Sequence, residues 1–290
     1  MVLDLGRPDR LIIAMTHYNF KSIFTWNVFL YIGFALVVII YLWMMFEPRM
    51  KKYVKPAGTL ALIWRVVLTT GTGSIFGVLL ARDAYDSLMM VPLFIVLSIG
   101  FGTAIFILFV YGLRHKSFSQ NHRLIFELSR LMTIFIITSF VLTIAFYLFK
   151  LLIPFKEEFV NFILFEMSIY PILFWFGYVL IGSILPFMII QMGKTSISVR
   201  KLAWCSFFHL TGGVALLYVI IIGGQAYPLI LFPGMEISSS FQDGKISQYT
   251  PSIFEFSLGL GGSAVALIGA ILVMRVLPFV PEESVTIPSG

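Results

Sequence analysis

The sequence has 290 residues, of which 59% are hydrophobic and 12% charged, with a formal net charge of +6. Soluble domains carry roughly 25% charged residues, and one of this size could not hide so much apolar surface from water. The isoelectric point near 9.4 and mean hydropathy of +0.97 do not describe a nucleic-acid footprint, because the charges sit in short stretches between apolar runs, where they set membrane topology.

The first ten residues hold Asp4, Arg7, Asp9 and Arg10 and no apolar h-region, so they do not read as a signal peptide. Residues 11–23 mix apolar and polar side chains over too short a length to span, which predicts an interfacial helix. Residues 1–25 are therefore expected to form an outer-face loop and interfacial helix. Seven apolar runs follow, at 26–46, 59–81, 89–113, 128–153, 168–192, 202–224 and 257–280; each is long enough for a crossing of about 20 residues. Trp26 and Trp43 bracket the first as interfacial anchors. Glu166 interrupts an apolar lead-in to the fifth. The connection 225–256, rich in Gly, Pro and Ser, reads as a structured cap over one face. The expected fold is all-α, a polytopic transmembrane bundle over 26–281 with a short cytoplasmic tail at 282–290.

Alternation of seven spans divides the loops between two faces. One face carries Arg49, Lys51, Lys52, Lys55, Arg114, Lys116, Arg123, Lys194, Arg200 and Lys201; the other has fewer cations and most acids, including Asp83, Asp86, Glu157 and Glu158. The positive-inside rule makes the first face cytoplasmic, so the N-terminus lies outside and the C-terminus inside. Gly73, Gly77 and Ala81 share one face of the second span, and Gly100, Gly102, Gly259, Gly261 and Gly262 add small residues to the third and seventh. Helix packing is the default use of such residues.

Charged groups within spans are functional candidates. Arg65, Arg130, His209 and Arg275 stand in apolar helix, and Glu127 reaches Arg130 at i,i+3. Two readings stand side by side: arginines snorkelling to the headgroups, or a polar half-channel for protons made by Glu127, Arg130, Arg65 and His209. At the outer face, Arg82, Asp83, Tyr85 and Asp86 follow the second span, and His17 lies in the N-terminal segment. His, Tyr, Arg and Asp at an apolar edge suit a carbonyl-bearing lipophilic headgroup, which needs a hydrogen-bond donor and a nearby acid. The alternative is interfacial capping, with Arg82 paired to Asp86 at i,i+4.

Haem between helices needs paired intramembrane histidines; of His17, His115, His122 and His209 only the last is in a span, so no haem is expected. The lone Cys205 cannot hold an iron–sulfur cluster and reads as a packed small residue. No P-loop, HExxH or Cys-rich metal motif is present.

The segment 3–10, LDLGRPDR, then Phe20, Lys21 and Ser22, and Trp26 and Asn27 opening a span, resemble the NrfD/PsrC family of polysulfide reductase-type integral membrane subunits. The stretches TTGTGSIFG at 69–77 and ARDAYD at 81–86 add to the resemblance. It is strongest toward the branch with the membrane subunits of the DsrMKJOP complex and of membrane-bound hydrogenases; beyond residue 90 only hydropathy carries it. The resemblance implies two four-helix bundles, quinone (menaquinone) bound near the outer face, and a ferredoxin-like iron–sulfur subunit docked there. The family motif normally follows two or more earlier helices, so the chain is expected to be the remainder of a larger bundle. The expected function is a quinone-interacting anchor subunit of a respiratory complex in the inner membrane. It would exchange electrons between the quinone pool and a periplasmic iron–sulfur subunit. A secondary transporter or channel, or an anchor without quinone chemistry, are the alternatives.

Overall fold

A computed structural model describes residues 16–79, 82, 84–112, 122–154, 156–193, 197–228, 246–247 and 249–276, with the backbone alone at 274–276. The helices are α1 (Ile23–Phe46), α2 (Lys51–Gly77), α3 (Met90–Gly112), α4 (His122–Leu151), α5 (Glu157–Leu164), α6 (Ile169–Met192), α7 (Val199–Ala226) and α8 (Ile253–Val276). Seven of them, all but α5, are long and apolar enough to cross a membrane, and among the described residues no strand occurs. The chain is a multi-pass, all-α membrane protein. Most of the interfacial segment 11–23, residues 229–245 of the cap, Ala81, Asp83, the Arg275 side chain and the tail lie outside the described residues.

Element bounds depart from hydropathy where polar turns are helical. α2 begins eight residues before its apolar run, through Lys51, Lys52, Lys55 and Pro56, because long cationic side chains carry their charge out to the headgroups. The lead-in to the fifth span is a separate amphipathic helix, α5. It buries Phe159, Val160, Phe162, Ile163 and Leu164, and the chain breaks at Phe165–Ser168 before α6.

The chain divides into two compact units, Met1–Gly71 with Thr250–Gly290, and Thr72–Tyr249. In the first, α1 and the first part of α2 pair antiparallel. Trp64 Nε1 donates to the Leu30 carbonyl at 3.0 Å, and Gly33 makes room for the Trp64 ring. A Cβ at Gly58 would stand 3.3 Å from the Tyr41 ring, and one at Gly71 would stand 2.9 Å from Leu30.

The second unit is built on α3, α4, α6 and α7, with α7 packed on α6 and α3, and α3 on α4. Its core has two apolar layers. One, toward the Tyr85 end, joins Leu93, Leu97, Phe146, Phe174, Tyr178 and Leu216. The other joins Ala104, Ile107, Met132, Ile136, Leu202 and Cys205. Between these layers in sequence lie Gly100 on α3, Ser139 and Thr143 on α4, Gly182 and Ser183 on α6, and Ser206, His209 and Gly212 on α7, all buried. The bundle therefore has a waist of small and polar residues.

The middle of α6, Leu173–Ile184, is π-helical, a wide form that is rare and often marks functional positions. Its buried residues, Phe174, Tyr178, Val179, Gly182 and Ser183, recur every four to five positions as that wider turn requires. Gly182 meets Gly212 of α7 so closely that a Cβ on either would collide with the other's backbone.

Candidate functional site

The connection from α2 to α3 is drawn tightly over the end of the second unit. A Cβ at Gly73 would lie 2.9 Å from Val91 Cα, and one at Gly77 3.1 Å from the Ser87 carbonyl. The chain then turns instead of continuing as helix, with Asp86 at φ 30°, a left-handed conformation that aspartate tolerates better than most residues. Tyr85 points inward, 2% exposed, with its ring 5.1 Å from that of Phe76. Its hydroxyl donates to the Ile221 carbonyl at 2.9 Å, and its own carbonyl accepts from Lys150 Nζ at 2.9 Å. Burial raises the Tyr85 pKa above the usual tyrosine value; Gln225 and the Arg82 charge lower it by less.

Lys150, 1% exposed, also lies over the Phe146 and Phe159 rings at 5.1 and 5.5 Å, a cation–π arrangement strengthened by desolvation. Arg82 Nη1 donates to the Gln225 carbonyl at 2.8 Å and the Tyr227 carbonyl at 3.4 Å, placing a cation at the C-terminus of α7 where carbonyls lack helical partners. Asp86 Oδ2 pairs with Lys156 Nζ at 2.7 Å, the side chains being 33% and 13% exposed. Beside this cluster a cavity of about 390 Å³ is lined by Glu158, Asn161, Phe162, Glu166, Tyr227, Pro228 and Ile246.

The expected Arg82–Asp86 pair is thus replaced. With Tyr85 N donating to the Arg82 carbonyl at 3.1 Å and Asp86 at φ 30°, i,i+4 spacing no longer brings the Arg82 and Asp86 side chains together, and each finds a partner far along the chain. Asp83 lies outside the described residues. His17 belongs to the first unit, where its Nδ1 is 3.1 Å from Thr16 Oγ1. Lys150, Lys156 and Tyr227 were not singled out by sequence reasoning. The available signal was the buried face of α4, where Ser139, Thr143, Tyr147 and Lys150 recur every three or four residues.

At the waist, the Thr143 and Tyr178 hydroxyls lie 3.1 Å apart. His209, 1% exposed, sets Nδ1 3.0 Å from the Gly182 carbonyl. A carbonyl only accepts, so the proton sits on Nδ1 and Nε2 is a bare acceptor. Nε2 faces Gly100, where a Cβ would stand 3.3 Å away. Both His209 Nε2 and Ser183 Oγ are buried without a hydrogen-bond partner.

The other members of the expected proton route are elsewhere. Arg65 is in the first unit, over the Phe34 ring at 5.6 Å. Glu127 and Arg130 are exposed on α4, and they form no ion pair: the one salt bridge among the described residues is Lys156–Asp86. Among the described residues, no three His, Cys, Asp or Glu side chains are grouped to hold a metal ion.

Similar proteins include the Hdr-like menaquinol oxidoreductase integral membrane subunit of Archaeoglobus fulgidus, 28% identical over 290 residues, covering 98% of this chain and 72% of that protein. Another is a subunit of the selenate reductase of Mesobacillus selenatarsenatis, 25% identical over 315 residues, covering 94% of this chain and 71% of that protein. A family model described as polysulphide reductase, NrfD, matches residues 1–228, and by this match over most of its length the chain belongs to the NrfD family of membrane subunits.

Proposed function

We propose that the chain is a quinone-reactive anchor subunit of a respiratory oxidoreductase complex in the plasma membrane. It exchanges electrons between the menaquinone pool and an iron–sulfur subunit docked at the Tyr85 end, which faces outward. The observation that carries this reading is the partly buried Asp86–Lys156 pair beside a cavity walled by Phe162 and Tyr227. A quinone headgroup needs a donor for a carbonyl oxygen, an apolar wall and a group that exchanges protons, and these residues supply all three. When bound, the quinone brings the two-electron, two-proton chemistry. Lys156 would donate a hydrogen bond to a headgroup oxygen, Asp86 Oδ2 would take or return a proton, and Phe162 and Tyr227 would hold the ring away from water. Arg82 and Lys150 fix the loop on which Asp86 stands. The relative named as a menaquinol oxidoreductase subunit supports the same chemistry.

Of the residues expected to carry protons, His209 has the suitable setting. Its bare Nε2, Ser183 Oγ and the Tyr178–Thr143 pair are proton-exchanging groups at the waist of an otherwise apolar bundle. Glu127 and Arg130 are not joined to this group by any hydrogen bond or ion pair among the described residues, and Arg65 belongs to the first unit.

The test uses the intact complex in liposomes, driven by a menaquinol analogue. Asp86→Asn is expected to lower quinol-dependent turnover roughly a hundredfold, the usual scale for losing an acid–base group, while dye-linked activity of the partner subunits persists. His209→Gln is expected to lower proton movement per turnover more than turnover itself. Quinol turnover unchanged in Asp86→Asn, or solute uptake by the chain alone, would overturn the reading.

A further inference from the structure

The seam between α4 and the C-terminal part of α6 holds two hollows, one beyond the other along the helices. The first, about 350 Å³, has Phe126, Ser129, Arg130, Thr133, Ile190 and Gln191 among its walls. The second, about 190 Å³, is lined by Ile136, Ile137, Phe140, Ser183, Ile184 and Phe187 and presents only apolar surface. Phe126, Ile134, Ile137 and Ile184 are exposed, so the seam opens on the outside of the bundle, where lipid lies. From Arg130 to Phe140 the helix rises about 15 Å, the length of a large part of one acyl chain. A polar head and an apolar slot thus lie in line on one seam, at the end of the bundle opposite Tyr85.

The charge at the head end is unbalanced. The Arg130 guanidinium has no hydrogen-bond or ion-pair partner among the described residues, and Glu127, one turn away, does not reach it. The Ser129 and Thr133 hydroxyls donate to the Phe126 and Ser129 carbonyls at 2.8 and 2.9 Å. Their own protons are therefore spent within the helix. Arg123, Arg200 and Lys201 stand at the same end, and the sequences 113–121 and 194–196 that join these helices contain Arg114, His115, Lys116 and Lys194 and no acid. A neutral quinone carbonyl would leave this charge uncompensated, whereas a phosphodiester neutralises it and accepts from both Arg130 and Gln191.

We infer that the α4–α6 seam is a binding site for one anionic phospholipid, its phosphate on Arg130 and Gln191 and one acyl chain in the slot leading to Phe140. The site does not depend on the quinone reading. The test titrates the delipidated full chain in dodecyl maltoside with phosphatidylglycerol, phosphatidylcholine, inorganic phosphate and a menaquinone analogue, reading bound adducts by native mass spectrometry. Phosphatidylglycerol is expected to be retained as a single adduct in preference to phosphatidylcholine. Arg130→Gln is expected to weaken that retention about fivefold, the usual worth of one cation near anionic lipid, and Arg130→Lys to restore most of it. Ile137→Trp, which fills the slot from an exposed position, is expected to weaken retention with the charge intact. Equal retention of the two lipids, a preference that survives Arg130→Gln, inorganic phosphate binding as tightly as lipid, or displacement of phosphatidylglycerol by the menaquinone analogue would each overturn the inference.

Discussion

Tyr85 holds the α2–α3 connection by both its polar ends, the hydroxyl on the Ile221 carbonyl and the carbonyl on Lys150. Its burial favours the neutral hydroxyl, so its folded pKa lies above the value of 10.0 for an unperturbed tyrosine. In the unfolded chain the group loses its proton first. Its contribution to stability is therefore complete below about pH 10 and is lost as pH rises through the folded value. Tyr85→Phe is expected to lower stability at neutral pH by about 1 kcal/mol, one ordinary hydrogen bond. It should also show a shallower fall than the parent as pH rises above about 10. Thermal unfolding in detergent across that range measures both, and parallel curves would refute the buried-hydroxyl account. The residues at 82–86 were legible as a polar cluster at a span end, but their partners were not. Lys150 and Lys156 meet Tyr85 and Asp86 across 65 and 70 positions of sequence, and local spacing does not encode such pairings.

Helix α6 reads in the sequence as an ordinary apolar span, because hydropathy reports only that a segment prefers lipid. Its π-helical middle is set by packing: Gly182 and Gly212 let α6 and α7 touch backbone to backbone, and the Gly182 carbonyl receives His209. Gly212→Ala puts a methyl against Gly182 that neither backbone can yield to cheaply. We expect it to cost about 1–3 kcal/mol, as overpacking in close-packed interiors does, seen as a lower melting temperature in detergent. Gly102, whose Cβ would meet nothing within 4 Å, serves as the control, and Gly102→Ala should be nearly silent. Equal effects of the two substitutions would mean that the α6–α7 contact is not a close one. Gly71, Gly73 and Gly77 of α2 and Gly100 of α3 were legible as packing residues, whereas a Cβ on Gly102, or on Gly259, Gly261 or Gly262 of α8, would meet nothing within 4 Å. The Gly182–Gly212 pair lies on α6 and α7, where nothing in its spacing marks it.

For the molecule as a whole, charge placement gives an orientation that is read on its exposed ends. Glu157 at the start of α5 and Ser198 before α7 are both exposed and lie at opposite ends of the second unit. The native Cys205 is buried, so added thiols can be read against a low background. In sealed right-side-out vesicles an impermeant maleimide is expected to label Glu157→Cys directly, and Ser198→Cys only after permeabilisation; the reverse pattern would invert the topology. Composition and hydropathy by themselves determined the solvent, the all-α class and seven spans, because burial in lipid is a property of each segment summed over about 20 residues. The Leu-Gly-Arg-Pro and Thr-Gly-Thr-Gly stretches carried the family. The tertiary structure alone decided that Tyr85 and Asp86 are anchored by Lys150 and Lys156, that His209 faces Gly182 with a bare Nε2, and that Glu127 and Arg130 form no ion pair. These are contacts between segments, fixed by how helices approach one another, and a hydropathy profile carries no information about that approach.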